Sequence, residues 1–180
     1  MRKIVVTEFV TLDGVMEDPQ NWSFPYWEDD IAKVKHDELF ASDAQLLGRI
    51  TYEGFAAAWP GRKDEEGYAD RINNLPKYVV SESLKKAEWN NSHIINKDIL
   101  QEIAKLKEDE GKDILIHGSA TLVNKLLQAG LVDEVRLLVY PVVLGKGKRL
   151  FWEETEVKLE LTNSRSFSKG VVLLTYTPKI

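Results

Sequence analysis

Short apolar runs separated by turn signals organise the chain. Residues 3–10 (KIVVTEFV) are rich in β-branched residues and predict a strand, which Leu12-Asp13-Gly14 ends in a turn. Pro19, Asn21, Trp22 and Pro25 mark residues 15–26 as irregular. A helix is predicted over 28–41, with Ile31, Val34 and Leu39 facing inward. Residues 44–48 read as a buried strand, and Thr51 opens a short helix to about Ala58. The charged stretch 59–75 reads as surface with a short helix near Tyr68–Asn73, and strands follow at 77–80 and 92–95. Asn96 is the expected cap of a helix over 98–109 that buries Ile99, Ile103 and Leu106. Residues 113–116 are a strand running into His117-Gly118-Ser119. A helix follows, with Leu122, Val123, Leu126 and Leu127 as its inner stripe and Gly130 as its C′ glycine. Residues 134–143 read as a strand. Residues 157–167 and 171–177 alternate about Lys169-Gly170, a hairpin signal.

Strands and helices alternate early, and antiparallel strands close the chain. That order predicts an α/β domain spanning 1–180, with a mostly parallel sheet and antiparallel C-terminal strands. Composition narrows the possibilities. The 180 residues carry 24 Lys+Arg and 29 Asp+Glu, a net charge of −5, which argues against a nucleic-acid partner. No run of 18 apolar residues predicts a membrane span, and MRKIVV does not resemble a secretory leader; a cytoplasmic protein is expected. The absence of cysteine removes disulfides, thiolate nucleophiles and Cys-based metal sites, and no metal is expected.

Candidate chemistry gathers at strand ends, where open α/β sheets bind ligands. Gly48-Arg49-Ile50-Thr51 offers a close backbone approach, a guanidinium fork and a hydroxyl at a helix start. Ser81-Glu82-Ser83 offers two hydroxyls, and His117-Gly118-Ser119-Ala120-Thr121 a small-residue turn into a helix. Taken singly, each also fits an ordinary junction: a strand–cap–helix turn with a surface arginine, a serine-rich turn, a small-residue turn capped by Ser119. Neither the P-loop pattern nor G-x-G-x-x-G is present. Lys146, Lys148 and Arg149 form a basic turn that reads as a solvated tip or a contact for a phosphorylated substrate.

At these residues the chain resembles the dihydrofolate reductase-like superfamily. Within it, the resemblance is to the reductase domain of bacterial riboflavin-biosynthesis deaminase-reductases and their small stand-alone relatives. The matching pieces run in family order: Thr11-Leu12-Asp13-Gly14, Leu47-Gly48-Arg49-Ile50-Thr51-Tyr52-Glu53, Lys77-Tyr78-Val79-Val80-Ser81, Ile116-His117-Gly118-Ser119-Ala120-Thr121-Leu122, Gly130-Leu131-Val132-Asp133-Glu134 and Pro141-Val142-Val143-Leu144-Gly145-Lys146-Gly147. The resemblance implies a three-layer α/β/α fold that binds NADPH. It places Gly48, Arg49 and Thr51 on the cofactor's phosphates and Ser81 near the adenosine 2′-phosphate. Gly118, Ser119, Ala120 and Thr121 fall under the pyrophosphate, and Asp13 and Gly14 beside the nicotinamide. Many relatives carry a double glycine where this chain has Gly118-Ser119, which bears on the unusual peptide geometry of that turn.

The implied reaction is reduction of a small heterocycle, similar to the 5-amino-6-(5-phosphoribosylamino)uracil reductase of riboflavin synthesis; the implied assembly is a homodimer through the late strands. Trp27 stands where true dihydrofolate reductases carry the acid that protonates the pterin, so folate reduction is not expected. On a helix Asp29 and Asp30 point about 200° and about 300° round from Trp27. Trp22, Phe24, Trp27 and Ile31 are the expected lining of a substrate pocket, or else plain core. Asp13, Glu8 and Asp30 are the candidate proton sources, with His117 a further one. The alternative to an enzyme is a module that binds a nucleotide or pterin without turning it over.

Overall fold

The structure, a computed structural model, describes residues 1–179. Eight strands form one sheet: β1 (Ile4–Thr11), β2 (Ser42–Gly48), β3 (Lys77–Val80), β4 (Ser92–Ile95), β5 (Asp113–Ile116), β6 (Glu134–Tyr140), β7 (Leu159–Ser166) and β8 (Val172–Pro178). Their spatial order is β4-β3-β2-β5-β1-β6-β8-β7. The pairings from β4 to β6 are parallel, and β8 pairs antiparallel with both β6 and β7. The helices are α1 (Asp29–Phe40), α2 (Arg49–Ala58), α3 (Tyr68–Asn74), α4 (Ile99–Glu108) and α5 (Ala120–Gln128). None of the described helices is long and apolar enough to cross a membrane.

Central strands buried on both faces need apolar residues at nearly every position, which is why β1 reads IVVTEFVT. Ile4, Val6 and Val10 pack with Ile103 of α4 and with Leu122, Val123, Leu126 and Leu127 of α5. Val5 points the other way, to Leu39 of α1, Tyr52 of α2 and Ile72 of α3. The sheet is therefore sandwiched between two helix layers. A third cluster, of Trp22, Ile31, Leu138, Tyr140, Phe167, Val171 and Leu173, closes the antiparallel end.

Boundaries differ from the sequence reading where backbone chemistry overrides pattern. Asp98, in the left-handed region at φ 47°, and not Asn96, stands at the N-cap of α4. β6 ends at Tyr140 because the chain turns at Pro141, so Val142 and Val143 are outside the strand. The second helix opens at Arg49 with Gly48 as its N-cap. Gly130 takes φ 67° just past α5, and its N–H donates to Leu127 O at 3.1 Å. The Gly118–Ser119 peptide is cis. A serine in place of the second glycine thus leaves the unusual geometry of that turn intact.

Lys77 begins β3 without solvent exposure. Its ammonium donates to Asn73 O, Leu75 O and Asn90 O at 2.6, 2.8 and 2.9 Å, tying the end of α3 to the start of β4. Burial pulls its pKa down to about 8.

Candidate active site

Unequal strand lengths create the site. β5 pairs with β1 only at Ile4–Val6, whereas β1 continues to Thr11 along β6. Beyond Val6 β1 parts from β5, and the parting between β1 and the turn after β5 is the crevice in which such sheets bind ligands. Around one point in it, where a Cβ on Gly118 would lie, stand Thr51 Oγ1 at 2.8 Å, Met16 Cε at 3.5 Å and Glu8 Oε1 at 3.6 Å. Glycine at 118, with φ 113°, is what lets the turn lie this close to Thr51.

Two of the three predicted phosphate turns meet beside this crevice. Gly48 N–H donates to Gly118 O at 3.1 Å. A Cβ on Gly48 would lie 2.9 Å from Ser119 N, so only glycine permits this contact. Ser119 caps α5, its hydroxyl accepting from Leu122 N–H at 3.4 Å. The N-termini of α2 and α5 thus converge with Arg49, Thr51, Ala120 and Thr121 at their first turns, a favourable arrangement for anions. Arg49 is half exposed and pairs only with Glu53, at 2.9 Å on its own helix, so its guanidinium can swing to a ligand at little cost. Ser81 stands one strand away, at the end of β3. Its hydroxyl accepts from Leu84 N–H at 3.0 Å and from Ser83 N–H at 3.3 Å, which fixes the turn.

Asp13 and Gly14 lie in the loop over the crevice. This loop is clamped to residues 142–150: Leu12 N–H donates to Val142 O, Met16 N–H to Lys148 O and Leu150 N–H to Gly14 O, all at 2.8–3.0 Å. The Asp13 carboxylate accepts from Thr11 Oγ1 at 2.6 Å, Gly145 N–H at 2.8 Å and Leu144 N–H at 3.3 Å. These bonds, Thr11's first, hold its pKa down at about 2, so it is ionised at neutral pH and serves as a clasp rather than a proton source. Replacing Asp13 by alanine is expected to speed hydrogen exchange at the Leu144 and Gly145 amides several-fold; unchanged exchange would sink the clasp. Of the basic turn, Arg149 donates from Nε to Asp13 O at 3.0 Å and so belongs to the same clamp. Asp30 faces away, its carboxylate 3.1 Å from Arg165 on β7.

The four expected pocket residues separate. Ile31 has no exposed surface, and Trp22 packs edge-on against Tyr140, 5.3 Å between ring centroids, with Nε1 donating to Glu17 O. Phe24 is 69% exposed. Trp27, half-buried, lies 6.3 Å from Phe9 on β1. Only Trp27 and Phe9 thus offer a partly open aromatic surface next to the strand that lines the crevice.

A buried charged group under the crevice escaped the sequence reading. On α1, Lys35 and Glu38 share the inward stripe with Ile31 and Leu39. Lys35 Nζ contacts Glu38 and donates to Thr7 Oγ1 at 2.9 Å, and that hydroxyl donates to Glu38 Oε1 at 2.9 Å. Arg136 of β6 lies 3.6 Å from Glu38 and 2.5 Å from Glu134. Helical spacing from Ile31 (i+4, i+7) was the available signal, but charged residues do not register as an inward stripe. Glu8 and His117 border this group. Glu8 is 6% exposed, and its Oε1 has no hydrogen-bond partner. Burial raises its pKa to about 8, Lys35 drawing it down and Glu38 pushing it up by less. His117, whose ring lies 5.5 Å from Phe55, has a buried Nε2 without a partner. Burial, then Lys35, holds its pKa well below the usual imidazole value, so it is neutral.

Known proteins share this architecture. The reductase-deaminase of Thermotoga maritima named for 5-amino-6-(5-phosphoribosylamino)uracil reduction superposes with a TM-score of 0.68 at 20% identity, over 99% of this chain and 57% of that one. Dihydrofolate reductase from Enterococcus faecalis, complexed with NADP(H), gives a TM-score of 0.65 at 16% identity, over 99% and 97%. At those identities the likeness is one of fold. In sequence, the uncharacterized protein YyaP of Bacillus subtilis is 36% identical over 179 residues, covering 97% of this chain and 94% of that protein. The model of the RibD C-terminal domain matches residues 2–173, and the chain belongs to that family.

Proposed function

We propose that the chain is an NADPH-dependent reductase of a small heterocyclic or carbonyl substrate, similar to 5-amino-6-(5-phosphoribosylamino)uracil. The observation that carries this reading is the meeting of the α2 and α5 N-termini where Gly48 N–H donates to Gly118 O. Gly48, Arg49, Thr51 and the turn 118–121 would hold the dinucleotide's phosphates, Ser81 the 2′-phosphate, and Asp13-Gly14 the loop over the nicotinamide. The residues fit such a group: the first turns of α2 and α5 meet where Gly48 N–H donates to Gly118 O, with the half-exposed Arg49 beside them.

Bound there, the dihydronicotinamide supplies a hydride at the crevice. The protein's part is to fix its ring against the acceptor and keep water out. Loop 12–17, closed on 142–150, forms the roof, and Trp27 with Phe9 offers a face on which a flat heterocycle can stack. A homodimer and a cytoplasmic location belong to the same reading; β7, an exposed strand at the edge of the sheet, is the surface through which two copies would pair.

A second reading, a nucleotide- or pterin-binding module, draws on the acids named from sequence: Asp13 is ionised in its clasp and Asp30 faces β7. Titration of the 5 tryptophans' fluorescence with NADPH and with NADH tests the cofactor. Micromolar NADPH binding is expected, with clear preference over NADH. Arg49→Ala should weaken NADPH about tenfold, the scale of one charge-assisted contact to phosphate. No binding of either dinucleotide would overturn the reductase. Binding without loss of NADPH absorbance across a panel of pyrimidine and pterin acceptors would favour the module.

A further inference from the structure

We propose that Glu8 is the acid of the reductase site, its carboxyl giving a proton to the acceptor atom as the hydride arrives. This deepens the reading above and rests on it. Three observations place Glu8 in that role.

The first is position. Glu8 stands on β1 two residues past the last pairing with β5, where the crevice begins. Its Oε1, Thr51 Oγ1 and Met16 Cε all stand within 3.6 Å of where a Cβ on Gly118 would lie, so Glu8 lines the turn between β5 and α5. The second is lack of a partner. Oε1 is buried and accepts no hydrogen bond, and a buried polar atom left so is costly unless a ligand completes it. The third is the charge around it. The cations nearest this strand are already matched: Lys35 contacts Glu38, and Arg136 sits against Glu38 and Glu134. From α1, Lys35 and Glu38 act on Glu8 in opposite directions, and from the end of β5 comes the neutral His117. Thr51 of α2 and Met16 of the loop carry no charge. Lys35 outweighs Glu38 and on charge alone favours the carboxylate, but burial outweighs both, so the neutral, proton-bearing carboxyl is favoured in the resting site.

The step balances. The carbon of a C=N or C=O bond takes the hydride with its two electrons, and the π pair moves to nitrogen or oxygen. That atom takes the proton from Glu8, which is left as a carboxylate. The dinucleotide leaves oxidised, and water returns a proton to Glu8. A Glu8 carboxylate would then offset the positive charge of an oxidised dinucleotide held at the same turn, so the residue that supplies the proton would also favour the product cofactor.

That pairing gives a test that needs no substrate. The ratio of dissociation constants, NADPH over NADP⁺, is measured by tryptophan fluorescence between about pH 6.5 and about pH 9.5. In the wild type the ratio should rise about tenfold as Glu8 ionises and comes to prefer the cationic ring. In Glu8→Gln it should stay flat, while both forms still bind. A flat ratio in the wild type, or the same rise in the variant, overturns the proposal and leaves the cofactor reading standing. Binding of neither dinucleotide overturns both. The kinetic counterpart is single-turnover loss of NADPH absorbance with 5-amino-6-(5-phosphoribosylamino)uracil as the acceptor. The wild-type rate should fall above about pH 8, and Glu8→Gln should be slowed about a hundredfold or more without that pH limb. Glu8→Asp, which keeps the acid one methylene further away, should recover part of the rate. A variant as fast as the wild type would overturn the proposal whatever its stability.

Discussion

Between about pH 4 and about pH 9 the stability of Glu8→Gln is expected to gain on that of the wild type by about 4 kcal/mol. The expectation follows from proton linkage. Glu8 takes up its proton at about 8 in the folded protein, against an ordinary value of 4.5. Folding therefore favours the protonated form. Below the unfolded value both states hold the proton and no stability is lost. As pH rises from there towards 8, the unfolded chain ionises freely while the folded chain must keep the proton or bury a charge. Stability falls throughout that window and levels off above it. Glutamine has nearly the same shape and no such titration, so the difference between the two proteins isolates the effect. Denaturant unfolding of both proteins at each pH reads it directly. A difference that does not change with pH would mean that water reaches the carboxyl and that it titrates as on the surface.

Gly118→Ala should cost about 2–3 kcal/mol of stability and abolish dinucleotide binding at micromolar concentrations. Two effects add. The residue sits at φ 113°, where a side chain is strained wherever it points. The new Cβ would also lie 2.8 Å from Thr51 Oγ1, pushing that hydroxyl away, while meeting Glu8 Oε1 in ordinary contact at 3.6 Å. Gly14→Ala is the control that separates them. Gly14 has φ 83° but nothing within 4 Å of the Cβ position, so it carries the strain without the crowding. Gly14→Ala should lose about 1 kcal/mol and keep part of its affinity. Equal losses in the two variants would show that backbone strain alone governs the site, and that the space beside Gly118 matters little.

The sequence disclosed the sheet better than the site. Repetition made β1, β5 and α5 legible: β-branched runs for the strands, and Leu122, Val123, Leu126 and Leu127 at helical spacing for α5. Ends were harder, because Asp98 in a left-handed conformation and a turn at Pro141 are single-residue events inside otherwise continuous patterns. The turns proposed for phosphate stood out as short motifs, and the structure brings two of them together through the Gly48–Gly118 hydrogen bond. Illegible were the features that need three dimensions. Nothing along the chain says that Asp13 is spent on amides more than a hundred residues away, or that Asp30 turns to Arg165. The inward charges of α1 break the apolar stripe that would have marked them. Glu8 was named from sequence as one acid among three, but its burial and its neighbours on α1, α2 and the end of β5 show only in the fold.

The roof of the crevice joins Leu12 to Val142, Asp13 to Gly145 and Val15 to Arg149, pairs separated by at least 130 residues. The parallel pairing of β1 with β6 beneath it closes about as long a loop, Val5 to Glu134 and Thr11 to Tyr140, so roof and strand pair form together. A chain emerging from the ribosome presents the turns at 48–51 and 118–121 before residues 142–150, which complete the roof. If the chain binds a dinucleotide as proposed, recovery of binding during refolding should lag behind recovery of helix signal.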